Sequence, residues 1–369
     1  MNIAWVTVRQ WGDLCSTTTD ALARGLIDHG HQLTVLNADE AHVHEHLPWQ
    51  HVSLAQSSRR GFHARSLAGS AVVWFRGREK QARFDAVMVD WPIASRLAPL
   101  LHSLDQPMVL VDRSPPADSG LFGRLQWGGW KKAWRLVNKG IIAGGTVVSR
   151  AHAAFVSDRC GVEKARLFVV PAGVDLQRFT PVTTSDDVLR LVYHGRLDKH
   201  RGVLSLPMLA QKALTAGREV RLTLIGEGDA RPALMDMAAS TDWLDVQPTM
   251  PQAELGAELA RHHVGLLPMP DTAVWALASP LKRSEYLASG LLVLGIDHEG
   301  HRLDSVDASW YSLSPASSFH RDGVAWLSEL DSKALERGQR EARAYAEAWC
   351  SWNTSVDALM DALAQAIES

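Results

Sequence analysis

The sequence predicts an α/β chain made of two doubly wound parallel-sheet domains, and three observations carry that expectation. Short apolar runs alternate with helical patterns from end to end, which implies parallel sheets covered on both faces. The alternation restarts near residue 189, after the polar stretch Pro181-Val182-Thr183-Thr184-Ser185-Asp186-Asp187 of linker composition. The length of 369 residues suits two domains better than one.

In the first half, strands are expected at residues 3–8, 32–36, 86–90, 108–111, 146–148 and 167–170, with helices at 17–29 and 93–103. The second half gives strands at 189–193, 220–225, 264–267 and 291–295, and helices at 202–216, 229–239 and 280–289. The expected domains are 1–182, completed by residues 351–369, and 183–350. Ligands belong at the carboxyl ends of such strands, with the cleft between the domains as the natural active site.

Hydrophobic content of 46% and charged content of 21% are those of an ordinary globular chain. A net charge of -3 argues against a nucleic-acid partner, since such domains carry a basic excess. Cys15, Cys160 and Cys350 lie far apart and odd in number, which disfavours disulfides or structural zinc and fits a reducing compartment. Residues 1–8 read as a first strand rather than a signal, and no apolar run reaches membrane-spanning length. A cytoplasmic protein is expected, with peripheral membrane contact open.

The candidate chemistry lies in the second half. Arg196 follows Gly195 at a strand's carboxyl end, and Arg201 stands just before Gly202, where a helix begins. Two guanidiniums stay cationic at working pH and form forked hydrogen bonds to phosphate oxygens. Ser279-Pro280 reads as an N-cap followed by the first helical residue, a start whose free amides favour an anion, with Lys282 adding a point charge. Glu285, on the same helix as Leu281, suits two vicinal ribose hydroxyls. The plainer counterparts are arginines coating a surface loop and a well-capped surface helix.

Taken jointly, these pieces resemble the retaining glycosyltransferases of the GT-B fold, group 1 (family four). The match runs through Val169-Val170-Pro171-Ala172-Gly173-Val174-Asp175, similar to that family's IPNGVD segment, and Gly195-Arg196-Leu197 with Arg201-Gly202, similar to its GRL…KG segment. Ser279-Pro280-Leu281-Lys282 with Glu285–Gly290 resembles an SPxK…EYLAxG donor site, and Cys350-Ser351-Trp352 an FSW terminal helix that crosses back to the first domain. The resemblance implies two Rossmann-like domains and transfer of a sugar from a UDP- or GDP-linked donor, with retention, to a glycan or lipid-linked glycan. It implies Arg196 and Arg201 on the diphosphate, Glu285 on the ribose, and no cofactor or catalytic metal. Leu277 stands where the family has the first Glu of E-x7-E, and Arg201 replaces the usual Lys. Asp271, in the preceding loop, is a substitute carboxylate.

Gly12, in Gln10-Trp11-Gly12-Asp13, occupies the loop where the family has a phosphate-touching double glycine. Asp112, and Asp118 beyond it, are candidates to approach the acceptor hydroxyl, beside the plainer reading of turn aspartates. Trp127, Trp130, Trp134, Val137 and Ile141 form a helical apolar stripe beside Arg124, Lys131, Arg135 and Lys139, and residues 59–83 carry seven Lys or Arg against one Glu. Such rows in 121–141 and 59–83 suit an anionic membrane surface, or a core stripe with a solvated basic edge. His42, His44, His46 and His51 read as solvated histidines rather than a metal site. Two other functions stay open: a non-catalytic GT-B partner subunit, and a nucleotide-sugar epimerase on the same fold.

Overall fold

The computed structural model describes residues 1–12, 16–59, 61–116, 121–182, 188–303 and 308–368. Cys15, Asp118 and most of the expected linker, 183–187, lie outside the described residues. The chain divides into two compact units, Met1–Pro171 with Trp352–Ser369, and Ala172–Ser351.

The first unit holds β1 (Asn2–Val6), α1 (Ser16–Asp28), β2 (Gln32–Asn37), β3 (Gln50–Ser53), α2 (His63–Gly77), β4 (Ala86–Asp90), α3 (Trp91–Ser103), β5 (Met108–Val111), α4 (Leu121–Asn138), β6 (Gly144–Val147), α5 (Arg150–Cys160) and β7 (Leu167–Val169). Its seven strands are ordered β3-β2-β1-β4-β5-β6-β7, all parallel. Alternate residues of each strand face opposite sides. Ala4 and Val6 accordingly pack under α2, α3 and α4, whereas Ile3 and Trp5 pack under α1 and the last helix of the chain.

The second unit holds β8 (Leu189–His194), α6 (Ser205–Thr215), β9 (Val220–Ile225), α7 (Arg231–Ala238), β10 (Leu244–Gln247), α8 (Gln252–Leu259), β11 (Val264–Leu267), α9 (Ala273–Ala276), α10 (Leu281–Ala288), β12 (Leu292–Ile296), β13 (Tyr311–Ser314), α11 (Phe319–Glu329) and α12 (Ser332–Trp349). Six parallel strands run β10-β9-β8-β11-β12-β13. The final helix, α13 (Trp352–Glu368), belongs to the first unit.

The second unit begins at Ala172 rather than at 183. Segment 172–182 is held there because Val174 donates to the Cys350 carbonyl at 2.7 Å and pairs with Ser351. Phe179, 2% exposed, completes that unit's apolar core. Three strands were not anticipated, β3, β10 and β13, and all three are sheet edges.

Two further expectations give way to packing. The aromatic stripe of α4 is not a surface: Trp130, Trp134 and Val137 are fully buried. The histidines also divide, because His44 and His51 stack face to face, 3.8 Å apart, while His42 and His46 stay exposed. The His44 Nε2 stands 2.9 Å from Asp39 Oδ2, and His44 Nδ1 accepts from the Trp49 indole at 3.1 Å. Burial, then the neighbouring His44, pushes the His51 pKa down to about 4. Among the described residues no group of three His, Cys, Asp or Glu is placed to hold a metal, and no helix is long and apolar enough to cross a membrane.

Candidate active site

At the carboxyl end of β8 the chain turns at Gly195, whose φ of +118° an L side chain rarely adopts. The missing side chain also makes room: a Cβ on Gly195 would lie 3.3 Å from Lys282 Nζ. The turn that precedes Arg196 and the α10 lysine are thus brought together. Lys282 Nζ stands 5.3 Å from the Tyr193 ring. Burial, then the Arg201 charge, lowers the Lys282 pKa to about 8, against the pull of Glu285.

Arg196 and Arg201 converge on one carboxylate that sequence reasoning missed. Arg196 donates to Asp198 through Nε at 3.1 Å and Nη2 at 3.0 Å. Arg201 Nε lies 3.7 Å from the same group, too far for a hydrogen bond. The Arg196 hydrogen bond holds the Asp198 carboxyl below the usual range. Arg201 also lies over the Trp275 ring, at 4.7 Å from its centroid. This fork-and-stack arrangement fixes two guanidiniums in orientation before any ligand arrives.

Ser279 does not cap the helix. Its hydroxyl accepts from the Ala172 amide at 3.1 Å, and Pro280 (φ -74°, ψ 120°) takes the cap position with no side-chain cap hydrogen bond. The first turn of α10, opened by Leu281, therefore offers its amides without a side-chain acceptor, the condition that favours an anion. Glu285, 4% exposed, faces His194 at the end of β8, with Oε2 3.0 Å from Nε2. His194 is the second partner that the sequence did not single out; no spacing signal marks it. Leu277 is buried at 8% exposure, so no carboxylate occupies that position.

The remaining candidates lie in the first unit. Gly12 has φ +95° with open space around it, so among the described residues only its backbone conformation demands a glycine. The adjoining Trp11 amide donates to Asp39 at 3.0 Å. Asp112 is fully buried and cannot reach an acceptor: its Oδ2 accepts from the Trp130 indole at 2.6 Å and the Trp134 indole at 2.9 Å. The aromatic stripe and the candidate base are one internal device, a carboxyl group tying α4 to the end of β5.

Residues 16–178 match the family profile described as Glycosyltransferase Family 4, a span of less than half the chain. No curated protein matches the sequence. The fold is shared with a glycosyltransferase from Rickettsia africae ESF-5, at 12% identity and a TM-score of 0.74, over 100% of this chain and 99% of that one. Sucrose-phosphate synthase from Thermosynechococcus elongatus is similar over 99% of this chain and 98% of its own, with 15% identity and a TM-score of 0.73. HepE of Anabaena, solved in complex with UDP, covers 99% of this chain with 100% of its own, at 12% identity and a TM-score of 0.70. Two Rossmann-like units and these neighbours define a GT-B fold. The family profile on its first part supports a glycosyltransferase.

Proposed function

We propose that this chain moves a sugar from a UDP- or GDP-linked nucleotide sugar to a hydroxyl of a glycan or lipid-linked glycan, with retention at the anomeric carbon. The observation that carries this reading is Lys282 packed against Gly195, with Arg196 and Arg201 both held on Asp198 in the turn that follows, together with the uncapped first turn of α10 and the buried Glu285. When the sugar–phosphate bond breaks, charge grows on the departing diphosphate. Fixed cations aimed there stabilise the transition state more than the ground state. A cationic set of this kind neutralises phosphate and repels metal ions, so turnover should survive EDTA. The incoming hydroxyl can pass its proton to the departing phosphate oxygen, a route that needs no enzymic base and agrees with the burial of Asp112.

UDP is the first nucleotide to test, because HepE is known in complex with UDP. Calorimetric titration should give UDP affinity about tenfold weaker in Arg196→Ala, and turnover lower by about 10²–10³. Equal UDP binding in both proteins overturns the reading. The anomeric configuration of the product, read by NMR, tests retention. We place the reaction in the cytoplasm, where it meets its acceptor in solution or at the membrane surface.

A second reading, a non-catalytic partner subunit, is favoured by Leu277 in place of a carboxylate and by Asp198 occupying the Arg196 fork. UDP binding without transfer of radiolabelled sugar to a second molecule would select it.

A further inference from the structure

Arg9 and Arg113 of the first unit make no hydrogen bond or ion pair with a carboxylate among the described residues. Arg9 follows the carboxyl end of β1 and Arg113 that of β5, the strands on either side of β4. The Arg113 guanidinium donates only to neutral oxygens, from Nη1 to the Val170 carbonyl at 3.3 Å and from Nη2 to the Thr18 hydroxyl at 3.4 Å. Both contacts sit at the weak end of the hydrogen-bond range. Arg9 is fixed through its backbone instead: its amide donates to Thr7 Oγ1 and its carbonyl accepts from Asn37 Nδ2, each at 3.0 Å. Both residues are half-buried.

The nearest carboxylates are engaged elsewhere. Asp90 accepts from Thr7 Oγ1 at 2.7 Å and the Val8 amide at 3.0 Å. Asp112 holds the two indoles described above. Burial, then repulsion from Arg9, pushes the Arg113 pKa down to about 10, although Asp90 and Asp112 pull the other way. A desolvated guanidinium facing a like charge is costly unless opposite charge offsets it, and Asp90 and Asp112 offset it only in part. Its place, at the carboxyl ends of central strands in a doubly wound sheet, is where ligands bind.

We infer that Arg9 and Arg113 form an anion-binding subsite of the first unit, taking a phosphate or carboxylate group of the molecule which that unit binds. Guanidinium forks match both groups. Only the identity of that molecule rests on the proposed sugar transfer: it is then the acceptor, and the acceptor is acidic, through a lipid-linked phosphate or a uronic-acid carboxylate.

The test starts from the full-length Arg196→Gln/Arg201→Gln/Lys282→Gln protein, so that the second-unit cations of the donor site do not contribute. Inorganic phosphate and glucuronate are titrated into it, and into the same protein carrying Arg9→Gln or Arg113→Gln, with the melting temperature as readout. At least one probe should give a saturable rise, weakened about tenfold or more by either added substitution. Arg113→Lys, which keeps the charge, should retain part of the response and guards against a misfolded glutamine variant. An unchanged response in the Arg9 and Arg113 variants, or no response to either probe in the parent, overturns the subsite. UDP is titrated separately into Arg9→Gln and Arg113→Gln with Arg196, Arg201 and Lys282 intact. UDP affinity within about twofold of the unsubstituted protein supports the acceptor assignment. A parallel loss of UDP binding overturns that assignment and gives the subsite to the donor diphosphate. UDP silence in every protein sinks the donor reading alone.

Discussion

Lys282 shows how a single residue's surroundings set its usefulness. Its folded pKa lies near 8 against an ordinary 10.5, so the ammonium loses its proton as pH rises through about 8. A bound diphosphate favours the charged form, so binding takes up a proton there and weakens as pH rises. UDP affinity, followed from pH 7 to 9, should fall, whereas Lys282→Arg should remain flat. A flat wild-type profile would mean that the lysine does not meet the phosphates. Asp112 belongs at the same scale with the opposite outcome. Asp112→Ala leaves two buried indole N–H groups without an acceptor, costing about 2–5 kcal/mol. A urea midpoint unchanged by that substitution would contradict the structural role given to the carboxylate.

At the scale of elements, the central strands were readable because burial on both faces makes them continuous apolar runs, as in Ala86–Asp90 and Leu292–Ile296. The edge strands Gln50–Ser53, Leu244–Gln247 and Tyr311–Ser314 were not, since one side faces solvent and polar residues interrupt the pattern. Part of the site was legible for a related reason. Arg196, Lys282 and Glu285 announce themselves by charge at element ends, whereas His194, Asp198 and Trp275 acquire meaning only through neighbours distant in sequence or through the turn itself. Helix α4 stayed between two readings because a stripe of Trp beside Lys and Arg has the same spacing whether it faces lipid or core. The proposed membrane contact therefore rests on exposed Phe62, Val73 and Leu125, beside the basic residues of 59–83 and of α4. Flotation with anionic liposomes should retain the protein and lose it at high salt. No retention at low salt removes the membrane from the account.

For the whole molecule, the sequence resemblance was carried mainly by the second half, while the family profile matches 16–178. The two signals fall mainly on different units and overlap at 169–175. What joins them is α13, which packs Val356, Leu359 and Leu363 into the first unit's core against Leu22 and Leu26. The fit is close: a Cβ on Gly25 would meet Val356 Cγ2 at 2.2 Å. Gly25→Leu should therefore wedge α13 away and destabilise the first unit by about 2–4 kcal/mol. Hydrogen exchange should report faster exchange in β1 and β2 with little change in β8 and β9. Uniform loosening of both sheets would show that the units do not hold themselves together separately.

The return of α13 also orders events at the ribosome. Residues 172–351 have their whole sheet available before 352–368 emerge, so the later-encoded unit can finish folding while the earlier one still waits with β4 to β7 uncovered beside α1. Chaperone engagement during synthesis should fall on that uncovered part, lined by Met88, Val109, Val111 and Val170, until α13 is released.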